Sequence, residues 1–205
     1  MRFHSAYSAQ LVVFLYQLIL LTFEQTGQPI IQDGRLTGHQ IEQGQIEIES
    51  SGLDTSNTNY TQILSQAAKI NAGVWAKELK VVAGKNNISH EGVIAATASN
   101  ELPPAVAIDT QALGGMYADK ILLISTQQNA EIQNAGQIWA MAGGVSLNAE
   151  GKLVNSGSIV SSEKPNSTQR TASNKEHSTI AIKTNEINNS GQLSSQGRTS
   201  GATDL

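Results

Sequence analysis

The side chains that could do chemistry are few and widely spaced. Four histidines, His4, His39, His90 and His177, have no partner at metal-ligand spacing, so they read as loop histidines and no metal site is assigned. Asp33 and Asp54 lie 21 residues apart. Stacked on one face they could supply the carboxylate pair of a polysaccharide-degrading enzyme, but position 75 holds Trp75 and not a third acid. Gly84-Lys85-Asn86 lacks the upstream glycine and the hydroxyl of a phosphate loop, and no Gly-Lys-Ser or Gly-Lys-Thr follows Gly114-Gly115. No serine sits in a nucleophile elbow, and the Gly-Gly-x-Gly-x-Asp nonapeptide of calcium β-rolls is absent. The expectation is a non-enzymatic chain with no cofactor.

What recurs is a turn. Asn134-Ala135-Gly136-Gln137-Ile138 has relatives in Asn71-Ala72-Gly73-Val74, Asn155-Ser156-Gly157-Ser158-Ile159 and Asn189-Ser190-Gly191-Gln192-Leu193, while Gly115-Met116 keeps the glycine and the apolar residue. Successive glycines at 73, 115, 136, 157 and 191 are separated by 42, 21, 21 and 34 residues, which describes a 21-residue unit, once doubled and once lengthened. After each glycine come short strands: Val74-Trp75-Ala76 then Leu79-Lys80-Val81, Met116-Tyr117-Ala118 then Ile121-Leu122-Leu123, Ile138-Trp139-Ala140 then Val145-Ser146-Leu147, and Ile159-Val160 then Ile180-Ala181-Ile182. A unit of two or three short strands and tight turns fits one coil of an all-β solenoid, the parallel β-helix. Glycine and asparagine adopt left-handed turn conformations at least cost, and stacked asparagines come within about 4.8 Å of one another, where their amides can hydrogen-bond.

Composition agrees. The chain of 205 residues has 18 Gly, 4% aromatics, 15% charged residues and no cysteine, a turn-rich β composition without disulfides or thiolate metal sites. Net charge is −4 and the 13 Lys and Arg are dispersed, so no nucleic-acid surface is expected. Residues 1–24 stand apart as an apolar leader, with a run from Leu11 to Phe23 behind Arg2. It has the length of a signal peptide and is too short to span a bilayer as a helix; an interfacial anchor or sequence foreign to the domain are the other readings.

Residues 25–51 read as one or two coils. Tyr60, Ile63, Leu64 and Ala67 fall at helical spacing, so a short helix is expected near residues 58–69. The breakers in residues 84–105 and the polar text of residues 161–178 read as loops bulging from the coil, and Asn86 to Pro104 and Ser161 to Ser178 are candidate contact loops. Residues 194–205 read as a frayed end.

Gly52-Leu53-Asp54-Thr55-Ser56-Asn57-Thr58-Asn59-Tyr60-Thr61-Gln62-Ile63-Leu64, Ile70-Asn71-Ala72-Gly73-Val74-Trp75-Ala76-Lys77-Glu78-Leu79-Lys80-Val81 and Ala107-Ile108-Asp109-Thr110-Gln111-Ala112-Leu113-Gly114-Gly115-Met116-Tyr117-Ala118 resemble the filamentous-haemagglutinin family. Residues 25–130 resemble the later part of its amino-terminal secretion domain, and residues 131–205 the first filament repeats. The resemblance implies a right-handed parallel β-helix, exported by two-partner secretion through an outer-membrane transporter of a Gram-negative bacterium. It further implies a secreted or surface-associated adhesin that meets a host or neighbouring-cell receptor, or the stalk of a contact-dependent growth inhibition toxin. The family's Asn-Pro-Asn-Gly and Asn-Pro-Asn-Leu motifs are missing here, and a Gly-Val-Gly-Val run is replaced by Gln127-Gln128-Asn129-Ala130-Glu131-Ile132, so the resemblance reads the chain as a truncated member. A solenoid without its first coils leaves strand edges bare, and such edges pair with other chains unless residues 1–24 cover them.

Overall fold

Short runs of alternating apolar residues, each closed by a turn, cannot bury their apolar face alone, and stacking each run on its counterpart solves this. The computed structural model describes residues 11–16, 20–25, 27–89, 92, 94–97, 104–162 and 178–196. In chain order, β1 (Leu11–Tyr16) and β2 (Leu20–Gln25) form an antiparallel pair, and β3 (Gly27–Gln32) and β4 (Arg35–Ile41) form a hairpin. The first coil is β5 (Gln45–Ile48), β6 (Leu53–Asp54) and β7 (Tyr60–Ser65); the second is β8 (Ala67–Ile70), β9 (Gly73–Trp75) and β10 (Glu78–Ala83). The chain then leaves the stack through β11 (Asn86–Ser89) and β12 (Ile94–Ala96). It returns with β13 (Val106–Thr110) and β14 (Gly115–Ser125), then β15 (Glu131–Asn134) and β16 (Gln137–Ala149). Further coils are β17 (Lys152–Asn155), β18 (Ser158–Ser162) and β19 (Ile180–Lys183), then β20 (Glu186–Asn189) and β21 (Gln192–Gln196).

Pairing between coils is parallel throughout, which makes this a parallel β-helix with three walls. One wall is the six-stranded sheet β5-β8-β13-β15-β17-β20. The long strands β14 and β16 turn the corner between the other two walls and join them into one 11-stranded sheet. Inward side chains stack by position: Ile46, Ala68, Ile108, Ile132 and Leu153 on the first wall, and Val74, Met116, Ile138 and Ile159 on the second. Ile63, Val81, Leu123 and Leu147 line the third. All are buried, and each aliphatic side chain so placed is worth about 1.5–3 kcal/mol before the entropy of ordering is subtracted.

The expected helix near residues 58–69 is not there: Tyr60–Ser65 and Ala67–Ile70 are strands. The helical spacing of Tyr60, Ile63, Leu64 and Ala67 arises because β7 is buried on both faces. Ile63 points into the solenoid, while Leu64 joins Ile41, Val82 and Ile88 in a second apolar cluster outside it. That cluster lies beneath a four-stranded antiparallel sheet, β12-β11-β4-β3, laid over the third wall. So residues 27–41, expected as coil, form a hairpin about Asp33 and Gly34, both at positive φ (50° and 75°), the pattern of a two-residue hairpin turn. Of the loop expected at residues 84–105, Asn86–Ser89 and Ile94–Ala96 lie off the stack as strands of this covering sheet and not as an open loop, and residues 90, 91, 93 and 98–103 lie outside the described residues. In the leader, β2 pairs parallel with β7 and β1 lies antiparallel beyond it, so these two strands lengthen the 11-stranded sheet past the first coil. The rest of the leader, most of the 161–178 loop and residues 197–205 lie outside the described residues.

Truncating one rung of the inner stack tests this packing. Ile132→Ala should cost about 2–5 kcal/mol in denaturant unfolding, while Leu113→Ala, at a corner where the side chain is 90% exposed, should change stability by less than about 0.5 kcal/mol.

Candidate functional site

Two features on the walls carry the polar and aromatic groups that could act. The first is the corner between the first and second walls. There the chain must leave one strand and start the next while staying hydrogen-bonded to the coil below. The N–H of residue 71, 111, 135, 156 or 190 donates to the carbonyl of Ile48, Ile70, Thr110, Asn134 or Asn155 at 2.7–3.0 Å. One position earlier, the side chains form a ladder. Asn134 Nδ2 donates to Asn155 Oδ1 and Asn155 Nδ2 to Asn189 Oδ1, each at 2.7 Å, and Asn134 and Asn155 are fully buried. The same amide nitrogens also reach the Ser158 and Gln192 carbonyls.

Below Asn134 the ladder position holds Thr110, then Ile70 and Ile48. Asn71 is therefore not a rung. It stands one residue later and donates instead to Glu47 Oε1 at 2.7 Å. The glycines likewise fall in two columns. Gly136, Gly157 and Gly191 stack on Gly114, and at each a Cβ would lie about 2.1 Å from the carbonyl oxygen of the glycine beneath. Gly73 and Gly115 pair with each other and with Gln137, one place further along. Gly115 thus sits out of register with Gly136, and the glycine equivalent to Gly136 in its coil is Gly114. The sequence hides this because the two adjacent glycines of coil three satisfy either alignment.

The second feature is an outward strip on the second wall. Trp75, Tyr117 and Trp139 occupy one strand position on consecutive coils, followed by Val160 and Ser194. Trp75 and Tyr117 are stacked, 5.9 Å between ring centroids and 15° between planes. Each ring folds back over the glycine two residues before it, Gly73 or Gly115, in the space a side chain there would fill. Trp139 has Gln137 in place of that glycine. Its Nε1 donates to Ser162 Oγ at 2.8 Å, and Tyr117 OH donates to Gln137 Oε1 at 2.9 Å. Trp75 and Trp139 remain 42% and 44% exposed. The turn positions by themselves do not mark this strip; its signal in the sequence is an aromatic residue two places after Gly73 and Gly115.

Charge is arranged in short cross-coil ladders. Lys69 pairs with Glu47 (2.9 Å), and Lys152 with Glu131 (3.2 Å) and Glu186 (3.9 Å). The Gln133 amide, then Lys152, hold the Glu131 carboxyl below its ordinary range. Asp54 is likewise lowered by the Ser56 hydroxyl and N–H, while Asp33 stands in the β3–β4 turn, so the two acids belong to different sheets and do not form a carboxylate pair. Among the described residues no group of three His, Cys, Asp or Glu side chains could hold a metal ion. His39 lies in β4, and the other three histidines fall outside the described residues.

The family model described as TPS secretion domain matches residues 22–155. The chain belongs to the TPS secretion domain family. Relatives include a protein named Toxin CdiA from Yersinia pestis, 41% identical over 141 residues, and one named tRNA nuclease CdiA-2 from Burkholderia pseudomallei (strain 1026b), 43% identical over 134 residues. These matches cover 68% and 64% of this chain but only 4% of each relative. A solved structure titled as the filamentous hemagglutinin secretion domain superposes with a TM-score of 0.59 at 20% identity, covering 85% of this chain and 59% of that one, a likeness of fold. In this TPS secretion domain the coil stack, the asparagine ladder and the aromatic strip all lie wholly or partly inside the matched residues.

Two outcomes follow. Thr110 Oγ1 and Asn134 Oδ1 are buried without hydrogen-bond partners at adjoining rungs, so Thr110→Asn should extend the ladder and raise unfolding stability by about 1 kcal/mol; a lower melting temperature would mean the corner has no room for the amide. Burial, with Glu78 adding to it, pushes the Tyr60 hydroxyl from 10.0 up to about 12. A raised folded-state value contributes stability that is complete below the unfolded value and lost as the pH climbs from 10.0 to about 12. Tyr60→Phe should flatten that alkaline decline in urea melts across the same window.

Proposed function

We propose that this chain is a non-enzymatic, secreted or surface-associated adhesin fragment of a Gram-negative bacterium. An outer-membrane two-partner transporter would carry it, and it would be secreted or held at the outer membrane. The observation that carries this reading is the match of residues 22–155 to the TPS secretion domain family on a solenoid that the same residues build. Residues 25–130 are taken as the secretion domain proper and residues 131–205 as the first filament repeats, where the asparagine rungs begin. A stack of this kind suits export. Each coil needs only its predecessor as a template, so folding can follow the chain as it emerges, and no cysteine demands an oxidant. The polar text of residues 161–178, at whose ends the Ser161 and Ser178 hydroxyls meet at 3.1 Å, is a candidate contact segment for a receptor on a host or neighbouring cell.

A second reading keeps export but changes the cargo. The relatives named CdiA are called toxins or nucleases and are far longer than this chain, so the same solenoid would serve as the stalk of a contact-dependent growth inhibition toxin whose active domain lies elsewhere. The remote third reading, a β-helical polysaccharide-degrading enzyme, loses its only sequence support with the separation of Asp33 and Asp54.

Export is tested by co-expressing the full chain, behind a secretion signal, with and without an outer-membrane two-partner transporter. The chain should appear in the medium or on the cell surface only when the transporter is present. Equal retention in both cultures removes the export reading. Cell binding by the exported chain then favours the adhesin over the stalk.

A further inference from the structure

We propose that the strip of Trp75, Tyr117 and Trp139 on the second wall binds a neutral glycan chain laid along the solenoid axis. The inference names the receptor class for the adhesin reading and rests on that reading for its biological meaning, though not for its test. Three observations lead to it.

First, the rings are presented as a floor. Trp75 and Tyr117 are seated over Gly73 and Gly115 and stacked on each other, and Trp75 and Trp139 keep 42% and 44% of their surface open to water. The C–H face of a pyranose stacks on such a surface, because aromatic faces are apolar and carry partial negative charge. Second, most groups beside the rings are neutral, and the charged ones are of both signs: two residues beyond Trp75 and Tyr117 stand Lys77 and Asp119, on adjoining coils. The neighbouring outward positions on successive coils hold Gln137, Ser158 and Gln192, with Ser162 bonded to Trp139. Amides and hydroxyls of this kind both donate and accept, as sugar hydroxyls require. The one ionisable group in the aromatic row is Asp54, paired with Trp75 at the first-coil end, and its carboxylate already accepts from Ser56. Charges of both signs beside the strip give a polyanion or a strongly charged protein no one-signed surface to meet. Third, coils repeat every ~4.8 Å, close to the length of one sugar unit, so consecutive rings can meet consecutive residues of a linear glycan.

The test uses the purified full chain and four probes: cellopentaose, chitopentaose, xylopentaose and, as the anionic control, heparin. Tryptophan emission is titrated with each, and mobility is followed in gels containing the corresponding polysaccharide. At least one neutral oligosaccharide should give a saturable change and retard the protein, and heparin should not compete. Trp139→Ala should weaken that binding roughly tenfold with an unchanged melting temperature, as loss of one stacked ring implies. Val160→Trp, which adds a ring at the next coil, should strengthen it, and so keeps the test meaningful if Trp139→Ala fails to fold. No saturable change with any neutral probe, undiminished binding by folded Trp139→Ala, or displacement by heparin would overturn the proposal. So would capture of the transporter's periplasmic domain by this strip in a Trp139-dependent manner without glycan binding. Because the chain is purified and not exported, failure here leaves the export result standing.

Discussion

Everything in this molecule depends on one coil lying on the next at backbone hydrogen-bond distance. The corner shows how narrow that requirement is. Gly136 rests on the Gly114 carbonyl, Gly157 on Gly136 and Gly191 on Gly157, so closely that a single Cβ would strike the oxygen below. The carbonyls approached in this way accept from Gln137, Ser158 and Gln192 in the next coil. Glycine at this column therefore serves contact between coils; none of these glycines has a positive φ, so the left-handed turn expected of them does not form. Once the backbones are this close, like side chains stand over like, and the pattern of one coil is imposed on its neighbours.

That imposed likeness explains the choice of polar residues. A buried asparagine would be costly alone, since its amide has two donors and an acceptor to satisfy. In a ladder each amide satisfies the next, and Asn134, Asn155 and Asn189 do this without net charge. Where charges do stack, as in Glu131, Lys152 and Glu186, they alternate in sign and stay near the surface. A column of like charges at this spacing would repel, so neutral amides and hydroxyls dominate a chain with only 15% charged residues.

The third wall departs from the simple solenoid because both of its faces are buried. Ile63, Val81 and Leu123 point inward, and Leu64, Val82 and Ile124 point outward beneath the antiparallel sheet. A strand buried on both faces loses the alternation that marks a strand in sequence. In β7 the remainder happened to fall at helical spacing, and a helix was expected where none forms. The covering hairpin had its own local signal in Asp33-Gly34. It was read as part of a coil because its partners, β11 and the outer face of β10, are distant in sequence.

The amino-acid sequence alone determined the strands of the coils and the period, because each is repeated and each repeat reports the same local constraint. It also carried enough of Gly52 to Leu64, Ile70 to Val81 and Ala107 to Ala118 to point to the family. Register was decided only in three dimensions: Gly114 and Gly115 offered two alignments, and the hydrogen bonds to Ile70 and Ala72 chose between them. The covering sheet and the aromatic strip also waited for the tertiary structure. Both join residues whose coupling runs across the stack, where neighbours in space are separated by a whole coil of chain.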